Sequence, residues 1–360
     1  MQYNFERFDA YFRAYLRRGI CGGAPHKNWN YKDDLTILGA YDLYRATGDV
    51  FFRDRILDLT GELLPPDDQP LGHNLDTISF GKTDLVLLTL TGNERWRRRL
   101  AAKQAALAEH PRTESGNFWH KDIYPWQVWL DGLYMALPVY LQDPANAEDA
   151  LHQIEEVRRR LYLPEKGLYR HAWDERRAQE WADPETGLSP CVWLRAEGWF
   201  LMMLADIREL MPRQQEKERL DALLLEAVNG LLPYRDRESG MFLQLVDLAG
   251  EPGNYPETSG SAMAAYAMMK GARLGMLPAG YFQRGAGVLA GIQDTGLKGT
   301  GDTLVLDGIC GSAGLGPGPD HRTDRDGSVA YYLSEAIRPD NQHGAAACMM
   351  AYSEYLRGNR

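Results

Sequence analysis

The sequence has few cysteines, and their spacing argues against two kinds of site. The four cysteines, at positions 21, 191, 310 and 348, form no Cys-x-x-Cys pair. Neither a zinc site nor a framework of disulfides is therefore expected. We predict free, mostly buried thiols in a reducing compartment.

Long hydrophobic runs and an excess of positive charge are also missing. No uninterrupted apolar run approaches the roughly 18 residues of a membrane span. Residues 1–19 carry charges throughout, unlike a signal peptide. Forty Lys and Arg residues against fifty Asp and Glu residues give a net charge of −10, which argues against a nucleic-acid or anionic-membrane surface. We predict a cytoplasmic protein. If it binds an anionic ligand, it does so through a few positively charged groups within one site and not through a basic surface.

The composition that is present belongs to a folded, mainly helical protein. Of the 360 residues, 44% are hydrophobic and 25% are charged. Apolar residues recur at helical spacing almost throughout, first over 8–16. No linker divides the chain, so we predict one domain over residues 1–360. About a dozen helices and few strands are expected, with later helices over 31–46, 50–63, 74–91, 94–109, 125–142, 146–161, 191–211, 215–231, 258–274, 278–293 and 342–357.

Three stretches of the chain resemble one another, beginning at Gly116, Gly167 and Gly240. Each runs from the glycine through an aromatic residue, a short extended piece and a polar loop into an apolar helix. Such units stack beside their copies, either as an open solenoid or as a closed ring. The starts are 51 and 73 residues apart, whereas helical solenoids keep a fixed period. A closed ring of helical hairpins, with its loops at one end, is the better interpretation.

The tryptophans are concentrated in one part of the chain. Seven of the nine lie where the repeats place loops and helix starts, namely Trp119, Trp126, Trp129, Trp173, Trp181, Trp193 and Trp199. A large aromatic core would explain them. The functional interpretation is a cleft with aromatic walls for sugar rings, because histidines, Arg195 and several carboxylates lie among them.

Two carboxylates begin apolar helices. Asp131 shares a predicted helical face with Val128, Tyr134 and Met135. The free-energy cost of burying its carboxyl group on this apolar face must be compensated by hydrogen bonds or a change of protonation. Asp131 is either a structural carboxylate or a catalytic acid whose pKa is raised by the neighbouring tryptophans. Asp76 begins another inner helix, where a cap or first-turn role is the simpler explanation.

Basic and imidazole side chains accompany these carboxylates. Arg195 and Trp199 share a helical face at i, i+4, and Arg195 is a candidate to hold a carboxylate bidentately. For His120 and His171, each considered alone, a structural role is more common than a functional one. They lack His-x-His or His-Glu-x-x-His spacing, so no metal site is predicted and activity is expected to survive chelation.

Two further segments carry weaker signals. Residues 307–319 are rich in glycine but lack the Lys and Ser/Thr of a phosphate-binding loop, so we predict a mobile loop at the rim. Glu257, Thr258 and Ser259 precede a helix, where capping is the expected role, although a helix start also accepts anions.

Five blocks of the chain, taken in order, are similar to a known family. They are HNLDTISFGKTDLVLL, FWHKDIYPWQVWLDGLYMALPVY, WLRAEGWF, NYPETSGSAMAAYAM and DGICGSAGLG. Together they resemble the glycoside hydrolase family 105 unsaturated rhamnogalacturonyl hydrolases, which are related to the family 88 unsaturated glucuronyl hydrolases. The resemblance covers nearly the whole chain. It implies an all-α (α/α)6 barrel of about twelve helices and no metal or organic cofactor.

The resemblance also implies roles for particular residues. Asp131 is similar to the family's general acid/base, and Asp76 to its second active-site carboxylate. Where many relatives read WxRGNGW this chain has Ala196 and Glu197, which implies a difference in the subsite of the leaving sugar. The residues similar to those that line the family's pocket are Tyr31, His120, Trp129, His171, Arg195 and Trp199.

The implied substrate is an oligosaccharide left by a polysaccharide lyase, with a C4=C5 double bond in its terminal uronic acid. One carboxylic acid starts its hydrolysis by protonating C4, after which water adds at C5 and the hemiketal collapses. A sugar epimerase or conventional glycosidase on the same barrel, and a non-enzymatic helical scaffold, remain alternatives. An epimerase would usually show paired late histidines, and His321 and His343 lie in no such recognisable context. The leaving sugar and the oligomeric state stay open.

Overall fold

A computed structural model describes residues 3–26, 28–67, 70–318 and 322–359 of the chain. Among these residues, none of the helices has the length and the hydrophobicity that a membrane span requires. The helices are α1 Glu6–Arg17, α2 Tyr31–Thr47, α3 Val50–Leu63, α4 Leu75–Ile78, α5 Phe80–Thr91, α6 Glu94–Ala108, α7 Leu130–Tyr140, α8 Ala147–Leu161, α9 Leu194–Ile207, α10 Gln214–Leu231, α11 Thr258–Arg273, α12 Gly280–Thr295, α13 Val329–Ser334 and α14 Gln342–Gly358.

Six of these helices form a closed inner ring. In order around the ring, α2, α5, α7, α9, α11 and α14 each contact the next, and α14 returns to α2. The other long helices, α1, α3, α6, α8, α10 and α12, pack outside them. Inner helices such as α9 are buried on almost every side, whereas the outer α8 buries a single apolar stripe. The predicted (α/α)6 barrel is confirmed, and the open solenoid is excluded.

Three short antiparallel ribbons decorate the barrel. Strand β1 Gln127–Trp129 pairs with β4 Ala172–Asp174, β2 Tyr162–Leu163 with β3 Leu168–Tyr169, and β5 Leu297–Lys298 with β6 Val305–Leu306. In the first ribbon Trp129 lies opposite Ala172, next to His171. This pairing fixes the loop of the second repeat against the start of α7, the inner helix of the first repeat.

The predicted helix bounds differ from the observed ones mainly where a loop enters an inner helix. The helix expected from 125 begins at Leu130, because residues 127–129 are extended in β1, and the one expected from 191 begins at Leu194. The helix expected over 74–91 is divided at Ser79 into α4 and α5. Helix α13 was not predicted, and the bounds of the other helices agree to within two residues.

The repeat is visible in the backbone. Gly116, Gly167 and Gly240 all have positive φ, at 98°, 71° and 70°. At Gly167 a second reason excludes a side chain, besides the positive φ: a Cβ there would lie 2.9 Å from the Cα of Gly230. Each glycine is followed within two residues by a buried aromatic ring, and the three units lead into α7, α9 and α11.

The loops are long at one end of the barrel and short at the other. Residues 48–49 suffice to connect α2 to α3, and residues 92–93 connect α5 to α6. By contrast, residues 162–193 separate α8 from α9 and residues 296–341 contain β5, β6 and α13 before α14. The predicted gathering of loops is confirmed, and it lies at the N-terminal ends of the inner helices.

A buried charge cluster ties α5 to α6. Asp84, which is fully buried, accepts hydrogen bonds from Arg99 Nε at 2.9 Å and from Lys103 Nζ at 2.7 Å. Both cations are themselves buried. Because removal of one partner leaves uncompensated charge in the interior, the cluster is sensitive to substitution.

We expect Asp84→Ala to lower the free energy of unfolding by about 3–5 kcal/mol, the cost of breaking a buried ion pair. Chemical denaturation followed by circular dichroism measures it. Asp54→Ala is the matched control, because the pair of Asp54 with Arg53 is exposed to solvent and contributes little to stability. Equal losses in the two variants would contradict the expectation.

Candidate active site

A cavity of about 310 Å³ opens at the end of the barrel where the long loops gather. Asp76, Asp131 and Arg195 all reach it, so the structure places these three residues at one end, as the sequence predicted. Its lining consists of Tyr31, Asp76, His120, Lys121, Tyr124, Trp129, Asp131, Met135, Trp193, Arg195, Ser312, Ala313, Gly314 and Arg325.

The starts of the inner helices deliver the charged side chains to this cavity. Asp76, Asp131 and Arg195 are each the second residue of their helix, in α4, α7 and α9, and Tyr31 is the first residue of α2. A helix start carries partial positive charge. The end of the barrel at which the cavity lies therefore favours an anionic ligand, although the chain as a whole is acidic.

Asp131 is mostly buried and faces a histidine. His171 Nε2 lies 3.3 Å from Asp131 Oδ2, and His171 Nδ1 lies 2.7 Å from the hydroxyl of Tyr332 on α13. Burial raises the pKa of Asp131, but the neighbouring His171 imidazole lowers it by more, so the pKa lies below its usual value. The predicted upward shift is wrong, because β1 and β4 bring this histidine against the carboxyl.

Trp126, to which part of that upward shift was ascribed, points elsewhere. Its ring packs against Trp119 at 4.7 Å and beneath the Arg176 guanidinium at 4.2 Å. Of the seven clustered tryptophans, Trp129 and Trp193 line the cavity. The aromatic-cleft interpretation holds for those two, and the core interpretation holds for Trp173, Trp181 and Trp199, which are buried outside the cavity lining.

Asp76 forms an ion pair inside the cavity. Lys121 Nζ lies 2.5 Å from Asp76 Oδ2, while Asn74 takes the capping position by accepting from the Asp76 backbone N–H. Burial lowers the pKa of Lys121, but the neighbouring Asp76 carboxylate raises it above its usual value. Lys121 is therefore charged near neutrality, and Asp76, which pairs with it inside the cavity, is more than a cap.

Three rings form a stacked wall. His120 and Tyr124 lie against Trp129 with centroids 4.7 and 4.8 Å away and planes inclined by 16° and 23°. Burial holds the pKa of His120 well below its usual range, so this imidazole is neutral near pH 7. The wall gives a flat aromatic surface of the kind that covers a sugar ring.

Arg195 is buried and anchored through one nitrogen. Its Nη1 donates to Ser259 Oγ at 3.2 Å and to the Cys310 carbonyl at 2.5 Å, and its guanidinium lies over Trp193 with Cζ 4.6 Å from the ring centroid. Neither Nε nor Nη2 hydrogen-bonds to a residue that the structure describes. The Nε–Nη2 edge is thus available to bind a carboxylate bidentately.

Glu257 holds both groups that anchor Arg195. Its Oε1 accepts from Ser259 Oγ at 2.6 Å and from the Cys310 backbone N–H at 3.0 Å. Its Oε2 accepts from the Gly260 N–H at 2.7 Å, so Glu257 also caps α11. The predicted capping role is confirmed for Glu257.

The glycine-rich segment forms part of the cavity wall. Ser312, Ala313 and Gly314 line the cavity, and residues 309–311 are buried beneath them. The expected position at the rim is correct, but the segment is packed against the barrel and bonded through Cys310, unlike a loose loop. Residue 319 lies outside the described residues.

Several predicted lining residues lie behind the cavity. Trp199 packs against Tyr134 and His343, at 4.9 and 6.1 Å between centroids, and does not reach the cavity. His171 lies beneath Asp131 and is likewise absent from the lining. The prediction that Trp199 and His171 line the cavity is therefore wrong in position.

Ala196 and Glu197 also lie away from the cavity. Glu197 Oε1 accepts from the Tyr169 backbone N–H at 2.5 Å, and burial raises the pKa of Glu197 to about 8. Ala196 is fully buried, and neither residue lines the cavity. The expected direct effect of these two residues on the subsite of the leaving sugar is therefore not supported by their positions.

Other lining residues were not predicted as site residues. Lys121 and Tyr124 stand in the same block as His120, and Met135 was placed on the helical face of Asp131 without a role in the cavity, so spacing alone could have found all three. Arg325 gave no such signal. It comes from the segment after the glycine-rich loop, where its Nη1 lies 3.4 Å from the place a Cβ at Gly314 would occupy.

The prediction that no metal-ligand set exists needs correction. Among the residues that the structure describes, Cys21, His26 and Asp33 bring their ligand atoms within 4.8 Å of one another. None of the three lines the cavity. Of the late histidines, His343 hydrogen-bonds to the Tyr31 hydroxyl at 2.9 Å, and His321 lies outside the described residues.

Comparison with known proteins gives a consistent result. The model of Glycosyl Hydrolase Family 88 matches residues 8–358. The structure of a family 105 glycoside hydrolase from C. acetobutylicum ATCC 824 is similar with a TM-score of 0.89 and 34% identity, covering 96% of this chain and 99% of that one. The unsaturated rhamnogalacturonyl hydrolase YesR of Bacillus subtilis is 27% identical over 68% of this chain and 72% of YesR. The unsaturated glucuronyl hydrolase of Bacillus sp. GL1 shares the fold, with a TM-score of 0.68 at 16% identity over 96% of this chain and 93% of that one.

Proposed function

Since the chain belongs to Glycosyl Hydrolase Family 88, we propose that it removes a 4,5-unsaturated uronic acid from the non-reducing end of lyase-generated oligosaccharides. The observation that carries this proposal is the free edge of Arg195 in the same cavity as Asp131. Arg195 binds the uronate carboxylate, and Asp131 acts on the adjacent double bond. Lys121 and Arg325 add positive charge to the same cavity.

Asp131 is the acid and then the base of the reaction. Its proton goes to C4, and the oxygen of a water molecule bonds to C5; one proton of that water returns to Asp131 and the other stays on the C5 hydroxyl. The hemiketal at C5 then opens its ring C–O bond, and the hemiacetal left at C1 expels the reducing-side sugar. No protein group attacks C1, unlike the nucleophile of a retaining glycosidase.

The proton on Asp131 is acquired with the substrate. In the free site the pKa of Asp131 lies below its usual value because of His171. A bound uronate adds a second negative charge and excludes water, and both effects raise the pKa of a carboxyl group. The substrate therefore favours the protonated form that it needs.

Asp76 has a different part in this scheme. Its salt bridge with Lys121, at 2.5 Å, holds the carboxylate in place. A carboxylate accepts hydrogen bonds, so Asp76 holds sugar hydroxyls against the wall formed by His120, Tyr124 and Trp129. Its role is to position the sugar.

The leaving sugar is proposed from similarity. The likeness to YesR, an unsaturated rhamnogalacturonyl hydrolase, favours the unsaturated rhamnogalacturonan disaccharide derived from pectin, with rhamnose released. We also propose a cytoplasmic location, as predicted from the sequence. The small size of lyase-generated substrates is compatible with it.

A panel of lyase-generated oligosaccharides tests the function, with rhamnogalacturonan, chondroitin and heparin products offered separately in heavy water. We expect loss of the unsaturated chromophore, release of the reducing-side sugar, and one deuterium at C4 of the keto-uronate, because the proton comes from an exchangeable acid. Sugar release with the double bond intact would instead show a conventional glycosidase. Conversion without bond cleavage would show an epimerase, and no reaction on any member would contradict the proposal.

A further inference from the structure

A second cavity, also of about 310 Å³, lies between the loop before α2 and the start of α14. Cys21 and His26 line it, and the buried carboxylate of Asp33 touches both side chains from beneath. No function described above uses these three residues. We propose that Cys21, His26 and Asp33 bind one divalent transition-metal ion of the zinc type.

The distances within the group suit such an ion. His26 Nε2 lies 3.1 Å from Asp33 Oδ2, Cys21 Sγ lies 3.9 Å from Asp33 Oδ1, and all ligand atoms lie within 4.8 Å of one another. Ligands bound tetrahedrally at about 2.0–2.3 Å stand about 3.3–3.7 Å apart. Adjustment of the Cys21 and His26 side chains by about an ångström brings the ligand atoms to these separations.

Asp33 is held in the orientation that a metal ligand needs. Its Oδ2 accepts from the Asn30 backbone N–H at 2.7 Å, and its Oδ1 accepts from Gln342 Nε2 at 2.8 Å. A carboxylate offers about four acceptor directions, and the two left over point toward His26 and Cys21. Outer hydrogen bonds of this kind fix the geometry of metal-binding carboxylates.

The chemistry of the ligands selects the ion. One thiolate, one imidazole and one carboxylate form a set that zinc accepts, whereas calcium and magnesium require oxygen ligands. The thiolate and the carboxylate together balance a charge of +2. The fourth position faces the cavity, where a water molecule completes the tetrahedron.

The site joins three parts of the fold. Cys21 and His26 belong to the loop before α2, Asp33 to α2 itself, and its partner Gln342 to α14. A bound ion therefore ties the loop to the place where α14 meets α2 and the inner ring closes. We assign the ion a structural role, because none of its ligands reaches the active-site cavity.

Cobalt(II) is the probe, because its bound form is coloured. The full chain, prepared without a polyhistidine tag and stripped with a chelator, is titrated with Co²⁺ and then with Zn²⁺. We expect one Co²⁺ per chain, visible bands of a four-coordinate ion, a near-ultraviolet thiolate-to-cobalt band, and loss of all these bands when Zn²⁺ displaces the cobalt. Absence of the thiolate band would overturn the site.

Variants locate the ion. Cys21→Ser should abolish the thiolate band, and His26→Ala should weaken cobalt binding by at least about 10-fold. Cys191→Ser, which changes another free cysteine outside the group, should leave both unchanged. A band that persists in Cys21→Ser, or that is lost in Cys191→Ser, would overturn the assignment. Far-ultraviolet circular dichroism checks that each variant is folded.

Turnover of the unsaturated substrate in the same samples separates this inference from the proposed function. Stripped protein and Cys21→Ser are both expected to hydrolyse it normally. A chain that turns over but binds no cobalt would overturn the metal site alone. A chain that binds cobalt through Cys21 but acts on no unsaturated substrate would overturn the proposed function alone.

Discussion

Replacing Asp131 by Asn is expected to lower kcat by at least about 100-fold while the protein stays folded. The amide fills the same space beside His171 but has no acidic proton to give to C4 and cannot take one from water. Steady-state turnover measures the loss, and quenching of tryptophan fluorescence by substrate shows whether Trp129 and Trp193 still face a bound ligand.

Asp143→Asn is the matched control, because Asp143 is exposed beyond the far end of the same helix, α7. It should turn over at the normal rate. If Asp131→Asn also does so, or if the product made in heavy water carries no deuterium at C4, Asp131 is not the acid.

The pH dependence of kcat/KM for the wild type is also expected to follow the protonation of Asp131. The ratio kcat/KM reports the free enzyme, in which the pKa of Asp131 lies below its usual value. The protonated fraction of Asp131 therefore falls as the pH rises through the neutral range, and kcat/KM falls with it. The turnover number kcat should be flatter, since the bound uronate raises the pKa.

Replacing Arg195 by Lys is expected to lower kcat/KM by about 10–100-fold, chiefly through KM. Lysine keeps the charge but offers a single point contact, so one charge-assisted hydrogen bond to the uronate, worth about 1.5–3 kcal/mol, is lost. The anchors to Ser259 and Cys310 also disappear. Steady-state kinetics with the preferred oligosaccharide measures the change.

A methyl-esterified substrate tests whether the lost contact is with the carboxylate. The ester removes the partner of Arg195, so the wild type should act on the free acid much better than on the ester, whereas Arg195→Lys should show little preference between them. Arg208→Lys, at the other end of α9 and paired with Asp221, is the control and should behave as the wild type. An unchanged preference in Arg195→Lys would contradict the assignment.

A closed ring of helices was predictable because its signal is periodic. Apolar residues at helical spacing, repeats of unequal length and loops rich in charged and aromatic residues together indicate a ring with one functional end, and the family resemblance added the (α/α)6 barrel. Asp131 and Arg195 stood out for the same reason, since each is a charged residue at the start of an apolar helix.

What the sequence did not reveal depends on contacts between distant segments. The downward pKa shift of Asp131 comes from His171, which the pairing of β1 with β4 brings into place, and Tyr332 reaches that histidine from the unpredicted α13. Trp199 does share the helical face of Arg195. It lies one turn further along α9, about 6 Å deeper in the barrel, and so lies below the cavity.

The distribution of the site over the helix starts has a consequence for how the chain can be cut and rejoined. No short fragment of the chain contains the site, because Tyr31 and its partner His343 stand near opposite ends of the sequence and the catalytic groups lie between them. The two ends are nevertheless neighbours, since the Tyr355 hydroxyl bonds to the Tyr3 carbonyl at 2.9 Å. A circular permutant joined there and opened at the short turn of residues 92–93 therefore keeps all six inner-helix starts intact, whereas a cut at the opposite end of the barrel divides the catalytic surface itself.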